Sequence, residues 1–278
     1  MTALLYLCSV ICSSGQSALG KQYAKLGGNS LTFNINKALA GAALFLIVGI
    51  AGGFAFHLPT ILLAVGYGAL LCISMHTGFK ALSIGPMSLT STIASFSLII
   101  PLLFGVCFWN EKLTLWNTVG IVLLLSSILL INAKKEKGFS VEWMAYTLIT
   151  LVVNGIFSVV QKVHQMRYPG LYRTEFMFWA LLCVLVILSV TSFSRPPENY
   201  RFGFTPWGII AGVMNCLSNY IVLYLSAAEN ASVLFPIVSV ANIMMVWMIG
   251  IVFFKERLKF TQILGLIIGV TSVVLLKL

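Results

Sequence analysis

The chain contains no aspartate, and only seven glutamates stand among its 278 residues. Charged side chains of both signs make up 9% of it, against about a quarter in soluble domains. That scarcity excludes a surface bathed in water. Polar linkers are also short: the longest, "SRPPENYRFGF" at 194–204, has no room for a soluble domain. The six cysteines (Cys8, Cys12, Cys72, Cys107, Cys183, Cys216) form no C-x-x-C pair and have no histidine at zinc-ligand spacing, which excludes a disulfide scaffold or zinc module. There is no G-x-S-x-G and no H-E-x-x-H, and His57, His76 and His164 are scattered. No enzyme is expected, and no cofactor or metal. Cys8 and Cys12 share a helical face, where small residues pack between helices.

What is present is apolar: 59% of the residues are hydrophobic and the mean hydropathy is +1.01. A net charge of +10 would point to nucleic acid in a soluble protein. Here the basic residues sit at the ends of apolar runs, where membrane anchors belong. The expected partner is the lipid bilayer, with no nucleic acid. A bilayer core needs about 20 apolar residues in a helix. Cutting at charges, prolines and glycine pairs gives ten spans, approximately 2–24, 31–54, 59–82, 86–109, 114–133, 140–163, 173–193, 205–227, 231–254 and 260–277. The first run has no basic residue before it, unlike a cleaved leader. Twelve of the 17 Lys and Arg fall at one face, among them Lys21, Lys80 and Lys255, and five at the other. The positive-inside rule makes the twelve-residue face cytoplasmic.

The charged stretch "WNEKLTL" (109–115) returns as "FKERLKF" (254–260), 145 residues later and again after a long apolar run. The same offset aligns Gly105 with Gly250, Glu111 with Glu256, Gly120 with Gly265 and Ser127 with Ser272. Upstream, Ser88 and Ser95 match Ser232 and Ser239 at an offset one shorter. Two related halves follow, 1–138 and 139–278. Five spans is an odd number, so the second copy enters the membrane inverted. The expectation is an all-α polytopic membrane protein of ten transmembrane helices in two inverted five-helix repeats. Inverted repeats with a site between them near the midplane are a common build for secondary transporters. The repeated Glu is expected to pair with its neighbouring Lys or Arg, or to cap the next helix.

The stretches "FKALSIGPMSLTSTIASFSLIIPLLFGVCFWNEKLTLWNTVGIVLLLSSILLIN" (79–132) and "LYLSAAENASVLFPIVSVANIMMVWMIGIVFFKERLKFTQILGLIIGVTSVVLL" (223–276) share one pattern. Each has a small-residue turn, a helix with a mid-span proline (Pro101, Pro236), an E-[KR]-L staple and a glycine-bearing last helix. This pattern resembles the EamA-type transporters of the drug/metabolite transporter superfamily. The resemblance implies a ten-helix carrier of amino acids, small metabolites, nucleotide sugars or cationic drugs. The location expected is the bacterial cell (inner) membrane.

Polar groups at mid-span are costly unless paired or wet, so they are site candidates. Ser9, Ser13, Gln16 and Gly20 form one stripe of the first span. Cys72, His76 and Lys80 step along the third, with Tyr67 at its middle. Ser88, Ser91 and Ser95 line the fourth, echoed by Ser232, Ser239 and Asn242 in the ninth. Asn154 lies in the sixth, and Asn215, Ser218 and Asn219 share a face of the eighth. The candidate substrate-binding set is Gln16, Ser13, Tyr67, His76, Ser95, Asn154, Asn215, Asn219, Ser239 and Asn242. For the serines, close helix packing stands as the other reading. Lys21, Lys80 and Lys162 are expected to snorkel to the interface, and Asn34, Asn36 and Lys37 to be interfacial. Gly265-x-x-x-Gly269 is expected to face the fifth span near Gly120; a homodimer through the tenth span is the rival, so the chain is a monomer or homodimer.

The short drug exporters of the same superfamily use a membrane-embedded carboxylate, but here the first span carries Gln16 and no glutamate lies at mid-span. A neutral, zwitterionic or anionic metabolite, amino acid-like for example, is therefore the expected substrate of a transporter working by alternating access. A cationic-drug exporter and a non-transporting membrane scaffold are the alternatives.

Overall fold

A computed structural model describes residues 2–108, 115–132, 140–193, 203–228, 231–256 and 259–275. The described elements are helical: α1 (Thr2–Lys25), α2 (Ser30–Gly52), α3 (Leu58–Ile84), α4 (Met87–Ser95), α5 (Ile99–Phe108), α6 (Leu115–Asn132), α7 (Val141–Arg167), α8 (Arg173–Phe193), α9 (Pro206–Ala228), α10 (Ala231–Val252) and α11 (Phe260–Leu275). Nine of the ten expected spans appear as one helix each. The fourth is divided by a 3₁₀ turn at Phe96–Leu98. Pro101 has no N–H to give and its ring crowds the carbonyl four residues back, which is Ser97 in that turn. Among the described residues, 30–52, 58–84, 87–105, 141–167 and 173–192 are long and apolar enough to cross a membrane by length and composition. The "KKEKG" joint, Glu111, Lys112, Glu229 and Arg257 lie outside the described residues.

Local sequence sets the helix ends. Asn29 caps α2, accepting from Leu31 N–H, and Gly53 closes it at φ 84° in the left-handed region that favours glycine. Ser140 caps α7 by accepting from Trp143 N–H, with Glu142 in the first turn at the positive end of the helix dipole. Large apolar side chains such as Ile47, Ile50, Leu62 and Val190 are exposed on the bundle's outside, as a lipid-facing wall requires.

The helix neighbours obey a rule. Exchange each span with the one five places along, and α1–α9 becomes α7–α3, α2–α9 becomes α8–α3, and α1–α10 becomes α7–α4. The pairs α2–α8, α6–α11 and α4–α10 map onto themselves. Two glycines carry the rule to the backbone. A Cβ on Gly68 of α3 would sit 2.4 Å from the Ala180 carbonyl oxygen of α8, and one on Gly212 of α9 would sit 2.4 Å from the Lys37 carbonyl oxygen of α2. Gly68 and Gly212 are 144 residues apart, and Lys37 and Ala180 are 143 apart. Only a residue without Cβ allows either approach. The Gly265–Gly269 face of α11 is taken up by α6, as its spacing predicts: Ser127 of α6 donates to the Gly265 carbonyl.

Candidate functional site

The polar groups gather along seams that join helices from the two halves of the sequence. In the α1–α9 seam, Asn215 Nδ2 donates to Gln16 Oε1 at 2.8 Å. One turn on, Asn219 Nδ2 donates to the Asn215 carbonyl at 2.9 Å and to its Oδ1 at 3.2 Å. Ser218 donates to the Ser9 carbonyl at 3.0 Å, closing the seam toward the apolar side. Gln16, Asn215 and Asn219 stay half-buried, so each amide keeps hydrogen-bonding capacity that its neighbours do not use up. Ser13, one turn from Gln16, is also half-buried, and its carbonyl accepts from Ser17.

The α3–α7 seam is the counterpart under the same exchange. Ser74 donates to Asn154 Oδ1, and the Thr77 and Thr150 hydroxyls meet at 2.8 Å. His76 is half-buried on α3. Sequence reasoning singled out Asn154 and His76 but missed Ser74, Thr77 and Thr150. The signal was there in part: Ser74 is a mid-span hydroxyl two residues from His76. Between α4 and α10, Trp247 Nε1 donates to the Thr92 hydroxyl at 3.2 Å, and Asn242 Oδ1 is buried without a hydrogen-bond partner among the described residues.

Several expectations need correction. Tyr67 is 2% exposed, with its ring packed against Phe157 and Phe176 in the apolar core around α3 and α8. Ser95 returns its hydroxyl to the Ser91 carbonyl at the break before the 3₁₀ turn, a local back-bond of the kind that goes with bends in helices. Ser88 is spent on a carboxylate, described below. The Ser239 side chain lies outside the described residues. Asn34 and Asn36 are each 2% exposed rather than interfacial. Asn34 donates to the Met75 carbonyl, and Asn36 donates to the Thr32 and Gly203 carbonyls while accepting from Thr205 N–H. These amides staple α2 to α3 and to the start of α9.

Lys21 departs furthest from expectation. It does not snorkel: its side chain is 9% exposed and lies 2.8 Å from Glu256, itself 8% exposed. Lys21 also donates to the Gly85 carbonyl at 2.8 Å. Glu256 accepts from Met87 N–H at 2.6 Å, from Ser88 N–H at 3.1 Å and from the Ser88 hydroxyl at 2.6 Å. The carboxylate therefore caps α4, which lies 168 residues away, instead of pairing with the adjacent Lys255. Burial pushes this carboxyl up, but the bonds from Lys21 and Ser88 outweigh it and hold the group below its usual range. Four pieces of chain meet at this one end of the bundle: the end of α1, the end of α3, the start of α4 and the segment after α10. Trp143, at the start of α7, seals the same end by donating to the Thr90 hydroxyl at 2.8 Å.

At the opposite end, helices bring together two of the three scattered histidines. Thr60 links them, 2.9 Å from His57 Nδ1 and 3.2 Å from His164 Nε2. Among the described residues no group of His, Cys, Asp and Glu has metal-binding proximity.

The chain matches the EamA-like transporter family over residues 1–133. Multidrug resistance protein EbrA of Bacillus licheniformis is 33% identical over 95 residues, which are 34% of this chain and 87% of that protein. A protein of known crystal structure superimposes with a TM-score of 0.69 at 14% identity, over 99% of this chain and 95% of that one; at that identity the likeness concerns the fold. An all-α bundle with apolar walls, polar seams and these relatives leads to one statement: the chain belongs to the EamA-like transporter family and is an integral membrane transporter.

Proposed function

We propose that the chain is a secondary transporter moving a small neutral, zwitterionic or anionic organic metabolite by alternating access, from a site between two inverted halves, 1–138 and 139–278. The observation that carries this reading is the hydrogen-bonded chain Gln16–Asn215–Asn219 across the α1–α9 seam. Amides at mid-span, half-buried and only partly satisfied by one another, form a surface that hydrogen-bonds a polar solute without demanding a charge. Asn154 lies in the matching seam, and Asn242 adds an acceptor on α10 that is unfilled among the described residues. The exchange symmetry of the helix neighbours supports halves that rock about that site. The Lys21–Glu256 contact joins α1, α3 and α4 to the far end of the chain, so we assign it as the latch that closes one face. The Lys and Arg distribution makes that face cytoplasmic, in a bacterial inner membrane. No chemical step on the solute is part of this reading.

Export of cationic drugs is the second reading, favoured by the name of the EbrA relative. It is weakened by Gln16, a neutral group on the polar face of α1, and by the absence of any glutamate at mid-span, since a lipophilic cation is then left without a counter-ion. Proteoliposomes separate the two. Uptake of amino acids, nucleotides and quaternary ammonium dyes is measured for the parent and for Gln16→Ala, Asn215→Ala and Asn219→Ala. The expected result is transport of an uncharged, zwitterionic or anionic solute that drops about tenfold or more in each variant, the loss of one or two buried hydrogen bonds. Parental transport in all three variants sinks the site; selective dye uptake sinks the substrate class.

A further inference from the structure

At the end of the bundle opposite the latch, a cavity of about 200 Å³ opens among the last turn of α2, the α7–α8 turn and α9. Water occupies about 30 Å³ per molecule, so the space admits a group of several heavy atoms. Arg173 and Glu175 both line it. Residues two apart on a helix do not face one another, and no ion pair joins these two among the described residues. A cation and an anion therefore look into one space without neutralising each other. Arg173 Nε is buried without a hydrogen-bond partner among the described residues, which costs free energy; the cavity reaches Arg173 through its other atoms. Glu175 is held in place by Ala55 N–H, which donates to its Oε1 at 3.1 Å. Both charges sit on the first turn of α8, whose leading N–H groups add positive potential beside Arg173.

We propose that this cavity binds a zwitterion, with its anionic group against Arg173 and the first turn of α8 and its ammonium against Glu175. The cavity is lined by none of the residues named in the mid-span seams, and most of its lining comes from the last turn of α2 and the start of α8, with Tyr220 of α9 beside Asn219 in sequence. Two sources carry this chemistry. One is a free amino acid in the water at this face. The other is a phosphatidylethanolamine headgroup, for which the exposed Ile47 and Ile50 beside the cavity offer an apolar flank to the acyl chains.

The test measures the thermal unfolding midpoint of the full chain in phosphatidylglycerol nanodiscs, a lipid with phosphate but no ammonium. L-leucine is titrated in one arm, and phosphatidylethanolamine is blended into the disc in the other. A bound ligand raises the midpoint by mass action. The variants are Arg173→Gln, Glu175→Gln and Gly52→Leu. A Cβ at Gly52, which also lines the cavity, meets nothing within 4 Å, so this position has room for a larger side chain at the cavity. The expected result is stabilisation of the parent in at least one arm, with apparent affinity about tenfold weaker or worse in all three variants: in the two charge variants because a charge-assisted bond is lost, and in Gly52→Leu because a side chain is added at the cavity. A response to L-leucine assigns the soluble source; a response to phosphatidylethanolamine alone assigns the lipid. No stabilisation in either arm overturns the proposal, and so does a Gly52→Leu protein that responds like the parent, even if a charge variant fails to fold. The readout is binding, so this site and the transport site can fail separately.

Discussion

Glu256→Gln is the perturbation that best tests how the bundle is closed. The parent carboxylate meets one ammonium, two backbone N–H groups and one hydroxyl, with both charged side chains under a tenth exposed. Glutamine keeps an oxygen for the cap of α4 but removes the charge, leaving the Lys21 ammonium buried with the Gly85 carbonyl and the Phe254 ring but no counter-ion. Removing one partner of a buried pair costs about 3–5 kcal/mol, which for a chain of this size lowers the melting midpoint by on the order of 10 °C. Adding Lys21→Met removes the orphaned charge as well. The double variant should recover most of the loss, because a neutral pair of similar volume is often no worse than the ion pair. Scanning fluorimetry of the four proteins in detergent gives the cycle. The pH profile gives an independent check. The carboxyl titrates lower in the fold than its ordinary 4.5. Its contribution is therefore fully present above about pH 4.5 and is lost as pH falls below that through the folded value. The parent's midpoint should drop over that acid window more steeply than that of Glu256→Gln. A Glu256→Gln protein that melts with the parent, or a double variant as unstable as the sum of the singles, refutes the reasoning.

Other outcomes follow from the packing. Gly68→Ala and Gly212→Ala each drive a methyl to 2.4 Å from a carbonyl oxygen; each should cost about 1–3 kcal/mol, read as a lower midpoint, and the two losses should be similar because the contacts are counterparts. Trp143→Phe keeps most of the buried ring but loses the bond to Thr90, for about 1 kcal/mol, whereas Trp143→Ala should cost about 3–5 kcal/mol; equal midpoints for the two variants contradict this account. Asn36→Ala strands the Gly203 carbonyl and the Thr205 N–H, and limited proteolysis should then cut the α8–α9 connection faster than in the parent.

The span count was legible because burial in lipid leaves helices of about 20 apolar residues as almost the only solution. The bundle interior was less so. Asn215 and Asn219 announced themselves as two amides on one face, yet nothing local said that Gln16, 199 residues away, would accept from Asn215. Tyr67 illustrates the opposite failure. Mid-span position alone cannot tell a cavity wall from the aromatic core that Phe157 and Phe176 build around it. Asn34 and Asn36 sit at a helix start, which predicts the interface, but partners from α3 and the α8–α9 connection bury them.

By itself, the sequence determined that this protein lives in a bilayer, that it is helical, and that the E-[KR]-L staple recurs 145 residues apart. Composition and periodicity are local properties, and the membrane imposes one answer on them. Only the tertiary structure decided which charge meets which. Lys21 and Glu256 are 235 residues apart, and their meeting depends on how α1 lies against the segment after α10. Pairing of that kind is set by the packing of the whole bundle, and no window of sequence contains it.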